Sequence, residues 1–258
     1  MSTVAIPVKV VSLESIGLPS AKSKISERWV DQQILIYGQT KIGKTKFVAQ
    51  DDRAFFIRTE RGHNHVENFG VDCRTYDEVL DVLGKLIQAK KIEPYPYSIV
   101  CIDTFDRIIE YSEDAVIEWA RNKFSKVEIN SVGDVPNGAG WSERTAKING
   151  IFRKLEELHG FCALAVIMHM AVDEREDERG KYKITTVNVG GKSNKVITGW
   201  ADHTMAVKAI YVGDQLLRKV KLRPTRELDA GSRGILPEEL SWTADDKANW
   251  DKFRAFFK

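Results

Sequence analysis

Residues 34–50 read ILIYGQTKIGKTKFVAQ, and how this stretch is understood decides the fold. An apolar run from Ile34 to Tyr37 stops at Gly38. A loop carrying Lys41, Gly43 and Lys44 follows, and Thr45 leads into the amphipathic Phe47-Val48-Ala49. Gly38, Gly43, Lys44 and Thr45 fill the pattern GxxxxGK[ST], each for its own physical reason. Glycines let backbone amides curl around phosphate oxygens, the lysine reaches the outer phosphates, and the threonine hydroxyl ligates magnesium. The strand before the loop and the helix after it are the context that this pattern requires, which a surface glycine loop would lack. The expected phosphate-binding set is Gly38, Gln39, Thr40, Lys41, Ile42, Gly43, Lys44, Thr45 and Lys46.

The bulk numbers bound the rest. A chain of 258 residues can bury one substantial core. Hydrophobic content of 43% with 29% charged residues excludes a wholly disordered chain. The formal charge of +2 means that any nucleic-acid contact must come from a local basic patch. Cys73, Cys101 and Cys162 form no CxxC pair, and Cys101 and Cys162 lie in apolar runs, so neither a disulfide nor a zinc site is expected. The start shows no secretion-signal order and the longest apolar run, 161–172, is too short for a bilayer. The expected compartment is cytoplasm, with no membrane contact.

Outward from the loop, residues 1–28 read as an extension or edge strand with a polar linker, and 29–258 as one domain. AFFIRTE reads as a second strand, YDEVLDVLGKLIQAKK as a helix, YSIVCIDTFD as a third strand, and DRIIEYSEDAVIEWARNKF as a helix. SKVEINSVGDVPNGAG reads as a long loop, 142–159 as a helix, and CALAVIMHM as a further strand. AVDEREDERGKYK is a solvated hairpin tip or mobile loop. KITTVNV, HTMAVKAIYV and QLLRKVKLR look like strands, the first two joined through Gly190-Gly191, and the chain ends in a short helix. This predicts an α/β fold: a mostly parallel central sheet with helices on both faces and an antiparallel C-terminal extension.

A phosphate loop needs an acidic partner for the metal. Asp103 closes the apolar SIVCID, so it sits at the carboxyl end of a central strand; capping the next helix is its alternative role. Hydrolysis also needs a group to orient water. Glu60 closes AFFIRTE and is the candidate, against a surface glutamate in the turn ERGHN.

The order of these parts resembles the RecA-type P-loop ATPase core. That resemblance implies ATP and Mg2+ as ligands, Thr45 and Asp103 at the metal, and Glu60 as the water-activating carboxylate. It also places His169, at the end of CALAVIMHM, where a polar residue senses the terminal phosphate; a packed core histidine is the alternative. More specifically, YGQTKIGKT, IRTERG, CIDTFD, GAGW, AVIMHM and RPTRELDAGSRGILPEEL resemble phage-encoded RecA-core proteins of the single-strand annealing type. The function implied is an ATPase, slow in isolation, acting on single-stranded DNA in annealing or recombination. A homo-oligomer is expected, with a single-strand binding protein as a further partner.

Lys221 and Arg223, two apart on one strand face, are the candidates for reaching a neighbour's nucleotide; a solvated basic strand edge is the alternative. Two DNA-facing loops are implied. One, 121–141, carries Arg121, Lys123, Phe124, Lys126 and Trp141; the other, 172–195, carries Arg175, Arg179, Lys181, Lys183, Lys192 and Lys195, diluted by acids from Asp173 to Glu178. A nucleotide-dependent switch that binds a protein partner, or a helicase-type motor, would use the same core.

Overall fold

The computed structural model describes residues 16–22, 26–60, 66–189, 191–234, 236–243 and 249–258. Most of the expected N-terminal extension, the turn after Glu60, Gly190 and the Lys192 side chain therefore lie outside the described residues.

The strand ILIY becomes β1 (Gln33–Gly38), buried from Ile34 onward. It is followed by α1 (Lys44–Val48), β2 (Ala54–Arg58), β3 (Phe69–Asp72), α2 (Tyr76–Gln88), β4 (Ile99–Asp103) and α3 (Phe105–Lys123). Next come α4 (Ala139–Glu156), β5 (Ala163–Asp177), β6 (Gly180–Val187), α5 (Gly191–Trp200), β7 (His203–Val212) and β8 (Gln215–Lys221). The short β9 (Gly231–Ser232), β10 (Glu239–Thr243) and α6 (Asn249–Arg254) close the chain.

The strands run in the order β10-β8-β7-β1-β5-β4-β2-β3, with β6 paired to β5 and β9 to β7. From β7 to β3 neighbouring strands are parallel, whereas β8 and β10 add on antiparallel, which is the predicted architecture. A parallel strand with neighbours on both sides is covered on both faces, so its sequence is continuously apolar rather than alternating. That accounts for ILIY, for IVCI in β4, and for the buried Ala163–Met168 of β5.

Helices α2, α3, α4 and α5 cover one face through Val79, Leu83, Ile108, Ile148, Ile151 and Ile197. The other face is covered by α1 and α6, where Phe47, Trp250 and Phe253 pack against Trp29. Trp29 and Trp250 meet edge to face at 5.4 Å, and each indole N–H finds an acceptor, Ser98 O at 3.0 Å and Asp51 Oδ2 at 2.9 Å. Thr75 caps α2 by accepting the Glu78 amide at 3.2 Å.

Several expectations need correction. The first segment expected at DNA is not one loop: Arg121 and Lys123 lie in the last turn of α3, and Trp141 lies in the first turn of α4. Between them the chain forms two 3-10 turns, 132–134 and 136–138, and Ile129, Val132 and Val135 of this stretch pack on Val116 and Ala120 of α3. For AVDEREDERGKYK the hairpin, one of the two forms expected, is the one found: β5 runs on through Asp177 and pairs with β6 from Met170↔Val187 to Asp177↔Gly180. Gly191 does not join two strands but opens α5. Both α5 and β3 were not predicted. Among the described residues, no helix is long and apolar enough to cross a membrane.

Candidate functional site

The loop after β1 is shaped by two close approaches. Gly38 lies against β7, where a Cβ would sit 2.5 Å from Val207 O, so backbone packing alone demands glycine. Gly43 adopts φ +99°, the left-handed region where a side chain is disfavoured. Between them the loop turns and delivers Lys44, whose ammonium donates to Gly38 O at 3.0 Å and Gln39 O at 2.8 Å. The Lys44 side chain is buried, and burial lowers its pKa; the carboxylates of Asp103, Asp106 and Glu60 act in the opposite sense.

Thr45 and Asp103 meet from different elements. The Thr45 hydroxyl donates to Asp103 Oδ2 at 2.6 Å, across the gap between the loop and the end of β4. Strand β5 sits between β1 and β4, so the carboxyl ends of β1, β5, β4 and β2 deliver the loop, His169, Asp103 and Glu60 to one rim. The hydroxyl and carboxylate are hard oxygen donors, and they fit Mg2+, which takes one or two protein ligands and fills the rest with phosphate and water. Among the described residues no group of three or more His, Cys, Asp or Glu is placed to hold a metal ion.

Glu60 is held rather than free. Its Oε1 accepts from the Thr104 hydroxyl at 3.0 Å. Thr104 is itself fixed through its backbone: its N–H donates to Thr59 Oγ1 at 2.8 Å and its carbonyl accepts from that hydroxyl at 2.7 Å. The Glu60 side chain remains 35% exposed, open to a water molecule.

His169 ends the inner part of β5. Its Nδ1 lies 3.3 Å from Asp106 Oδ2 and 4.0 Å from Glu60 Oε1, and its backbone N–H donates to the same Asp106 oxygen at 2.9 Å. Burial raises the pKa of Asp106, while the His169 and Asn188 contacts oppose the shift. The ring is therefore aimed into the site by a carboxylate and is not packed among Met168 and the core.

These groups line one cavity of about 520 Å3, bounded by Lys41, Lys44, Thr45, Glu60, Asp103, His169 and their neighbours. Lys221 and Arg223 are not among its lining residues. Lys221 pairs with Glu239 of β10, and Arg223 Nε lies 4.0 Å from Glu238. Of the residues expected at DNA, Arg175 pairs with Asp229 at 3.2 Å and Lys181 with Glu174 at 3.5 Å, while Arg121 Nε donates to Ile129 O at 2.8 Å. Lys123 stands 4.7 Å above the Trp119 ring, and Trp141 is 51% exposed with Arg144 stacked at 4.8 Å.

Three lining residues go beyond the expected set: Val66, Thr104 and Arg218. In the sequence Thr104 shows only as the residue after Asp103. Arg218 of β8 reaches across to the loop, where its Nε donates to Ile42 O. A sequence signal existed for it: Leu216, Val220 and Leu222 mark the inward register of this strand, and Arg218 stands in that register.

A family model described as an AAA domain matches residues 31–234. No curated protein matches the chain in sequence. Among similar solved structures is the RadB recombinase, at 12% identity over 82% of this chain and 85% of that chain, with a TM-score of 0.46. Another is the flagellar accessory protein FlaH from Methanocaldococcus jannaschii, at 9% identity over 83% of this chain and 86% of that one, with a TM-score of 0.40.

Proposed function

The chain belongs to the AAA-domain family, and from that premise we propose that it binds ATP with Mg2+ and hydrolyses the terminal phosphate. The observation that carries this reading is the single rim on which Lys44, the Thr45–Asp103 pair and the Thr104-held Glu60 converge. Lys44 leaves its two loop carbonyls for the phosphates and neutralises charge there. Thr45 and Asp103 hold the metal, which when bound draws charge from the phosphate oxygens. Glu60, anchored by Thr104 and still reached by solvent, orients the attacking water and takes its proton. His169, braced by Asp106, reports whether the terminal phosphate is present.

Lys44→Ala and Glu60→Gln test this together. Calorimetry should show nucleotide binding lost in the first and kept in the second, and phosphate release should be lost in both. Equal hydrolysis by Glu60→Gln and the unaltered chain would remove Glu60 from the scheme.

For the biological substrate we propose single-stranded DNA, handled by a homo-oligomer in annealing or recombination of a phage-like kind. The motif order supports this, as do the exposed Trp141 beside Arg144 and the Lys123–Trp119 pair, which together offer cations for phosphates and rings for bases. In such an assembly Lys221 or Arg223 would exchange its glutamate for a neighbour's nucleotide. Filter binding of labelled single strands at two salt concentrations, with and without ATP, decides it. Binding that weakens with salt is expected, and no binding in any nucleotide state would leave the protein-partner switch as the better account.

A further inference from the structure

Strand β8 carries three basic residues, Arg218, Lys219 and Lys221, and the two lysines are paired within the chain. Both share Glu239, and Arg223, just past the strand, faces Glu238. The two lysines lie in the odd register of the strand. Arg218 lies in the other, where it is paired across the sheet with Ala209 of β7, one step beyond the Val207↔Val220 pair that belongs to the core. Its guanidinium makes no ion pair with any described residue. Nε donates to Ile42 O, and Nη1 is shut off from solvent with no hydrogen-bond partner. A Cβ on Gly43 would lie 3.0 Å from Nε, so the guanidinium is pressed against the turn of the phosphate loop.

A half-buried guanidinium with one nitrogen shut off from water and no counter-ion among the described residues is unfavourable unless an anion completes the site. The carboxylates of the cavity, Glu60 and Asp103, reach it from the β2 and β4 side of β1, whereas Arg218 enters from the β8 side. We propose that Arg218 is a phosphate-binding residue of the same chain, and that it grips the diphosphate common to ADP and ATP and not the terminal phosphate. The planar fork suits this: Nε stays on Ile42 O while the outer edge of the guanidinium, without a partner among the described residues, is left to donate to a phosphate oxygen. Gly43 then serves twice, once for its positive φ and once for the room it leaves to the guanidinium.

This inference rests on the nucleotide reading above, and its test separates the two. Calorimetry with Mg-ADP and with the non-hydrolysable Mg-AMP-PNP is run on the full chain, on Arg218→Ala and on Arg218→Lys, with melting temperatures as a folding control. Arg218→Ala should weaken both nucleotides by a similar factor, roughly tenfold as for a charge-assisted hydrogen bond, leaving their ratio unchanged. Arg218→Lys, which keeps the charge but loses the fork, should weaken both by a smaller factor, and it serves should the alanine variant not fold. Unaltered affinity in Arg218→Ala overturns the inference, and so does a loss confined to Mg-AMP-PNP, which would put Arg218 at the terminal phosphate. If the unaltered chain binds neither nucleotide, the phosphate-loop reading falls and this falls with it.

Discussion

Replacing Thr104 by valine isolates the anchoring of Glu60 from everything else at the site. Valine keeps the shape and removes only the hydroxyl, whose partner is Glu60 Oε1 at 3.0 Å. The bonds that fix residue 104 run through its own N–H and carbonyl to Thr59 Oγ1, so they survive the change. A hydrogen bond to a charged group is worth about 1.5–3 kcal/mol when buried. Here the carboxylate is 35% exposed, and water takes over part of the role, which brings the loss to about 1 kcal/mol. At about 1.4 kcal/mol per tenfold in rate, kcat should fall roughly fivefold while nucleotide affinity stays unchanged. Steady-state phosphate release and calorimetry measure the two. A double-mutant cycle sharpens the result: in a Glu60→Gln background, Thr104→Val should have little further effect, because the hydroxyl acts through Glu60. Wild-type turnover in Thr104→Val, or effects that multiply independently in the double variant, would refute the anchoring role.

Three other outcomes are expected. Gly38→Ala places a methyl 2.5 Å from Val207 O, a backbone atom that cannot turn aside, and should cost about 1–3 kcal/mol, seen as a lower melting temperature together with weakened nucleotide binding. Thr45→Val deletes one of the two hard oxygens at the metal position and should raise the Mg2+ concentration needed for half-maximal nucleotide binding roughly tenfold, whereas affinity measured in EDTA should not change. His203, buried between Ser232 Oγ and Gln32 Oε1 at 2.9 Å each, has its pKa lowered by burial from 6.5 to about 4. The unfolded chain therefore binds the proton more readily, so this stability is present above pH 6.5 and is lost as pH falls towards 4. The fall from 6.5 to about 4 corresponds to about 3 kcal/mol, and urea titrations across that window should show a shallower decline in His203→Gln.

The parts of the fold that were legible in the sequence are those whose signal is local. Strands β1, β4 and the inner half of β5 are flanked by parallel neighbours and covered by helices on both faces, and that environment writes itself as an uninterrupted apolar run. Strand β3 gives no such signal: it is a four-residue edge with Phe69 and Val71 exposed, and it exists because Phe55–Arg58 of β2 offers it a partner. Helix α5 was hidden in the same way, since GKSNKVITGW carries glycine and β-branched residues, and what holds it is tertiary, with Ile197 and Trp200 packed on the core. The outer half of β5 shows in the sequence only as a charged hairpin tip or mobile loop, because solvent reaches both its faces beyond Met170; pairing with β6 makes it a hairpin strand as far as Asp177.

The site divides along the same line. Gly38 to Thr45 could be identified because a phosphate loop is one contiguous stretch whose residue types are fixed by backbone curvature. Asp103 and Glu60 needed one more inference, that apolar strands in a parallel sheet end at a common rim, and the 2.6 Å Thr45–Asp103 contact follows from that geometry. Beyond that, spacing along the chain gives no purchase. Arg218 is 176 residues from the carbonyl it touches, and only the register of β8 on β7, and of β7 on β1, brings it there. Basic residues in the neighbouring positions look equivalent in a linear reading, yet the alternation of the strand gives them opposite fates. Those in the odd register meet Glu239 of β10, and the one in the even register meets the loop with no described residue to balance its charge. An unbalanced guanidinium is a property of two faces of one strand, so it becomes visible only when the sheet that separates those faces is in place.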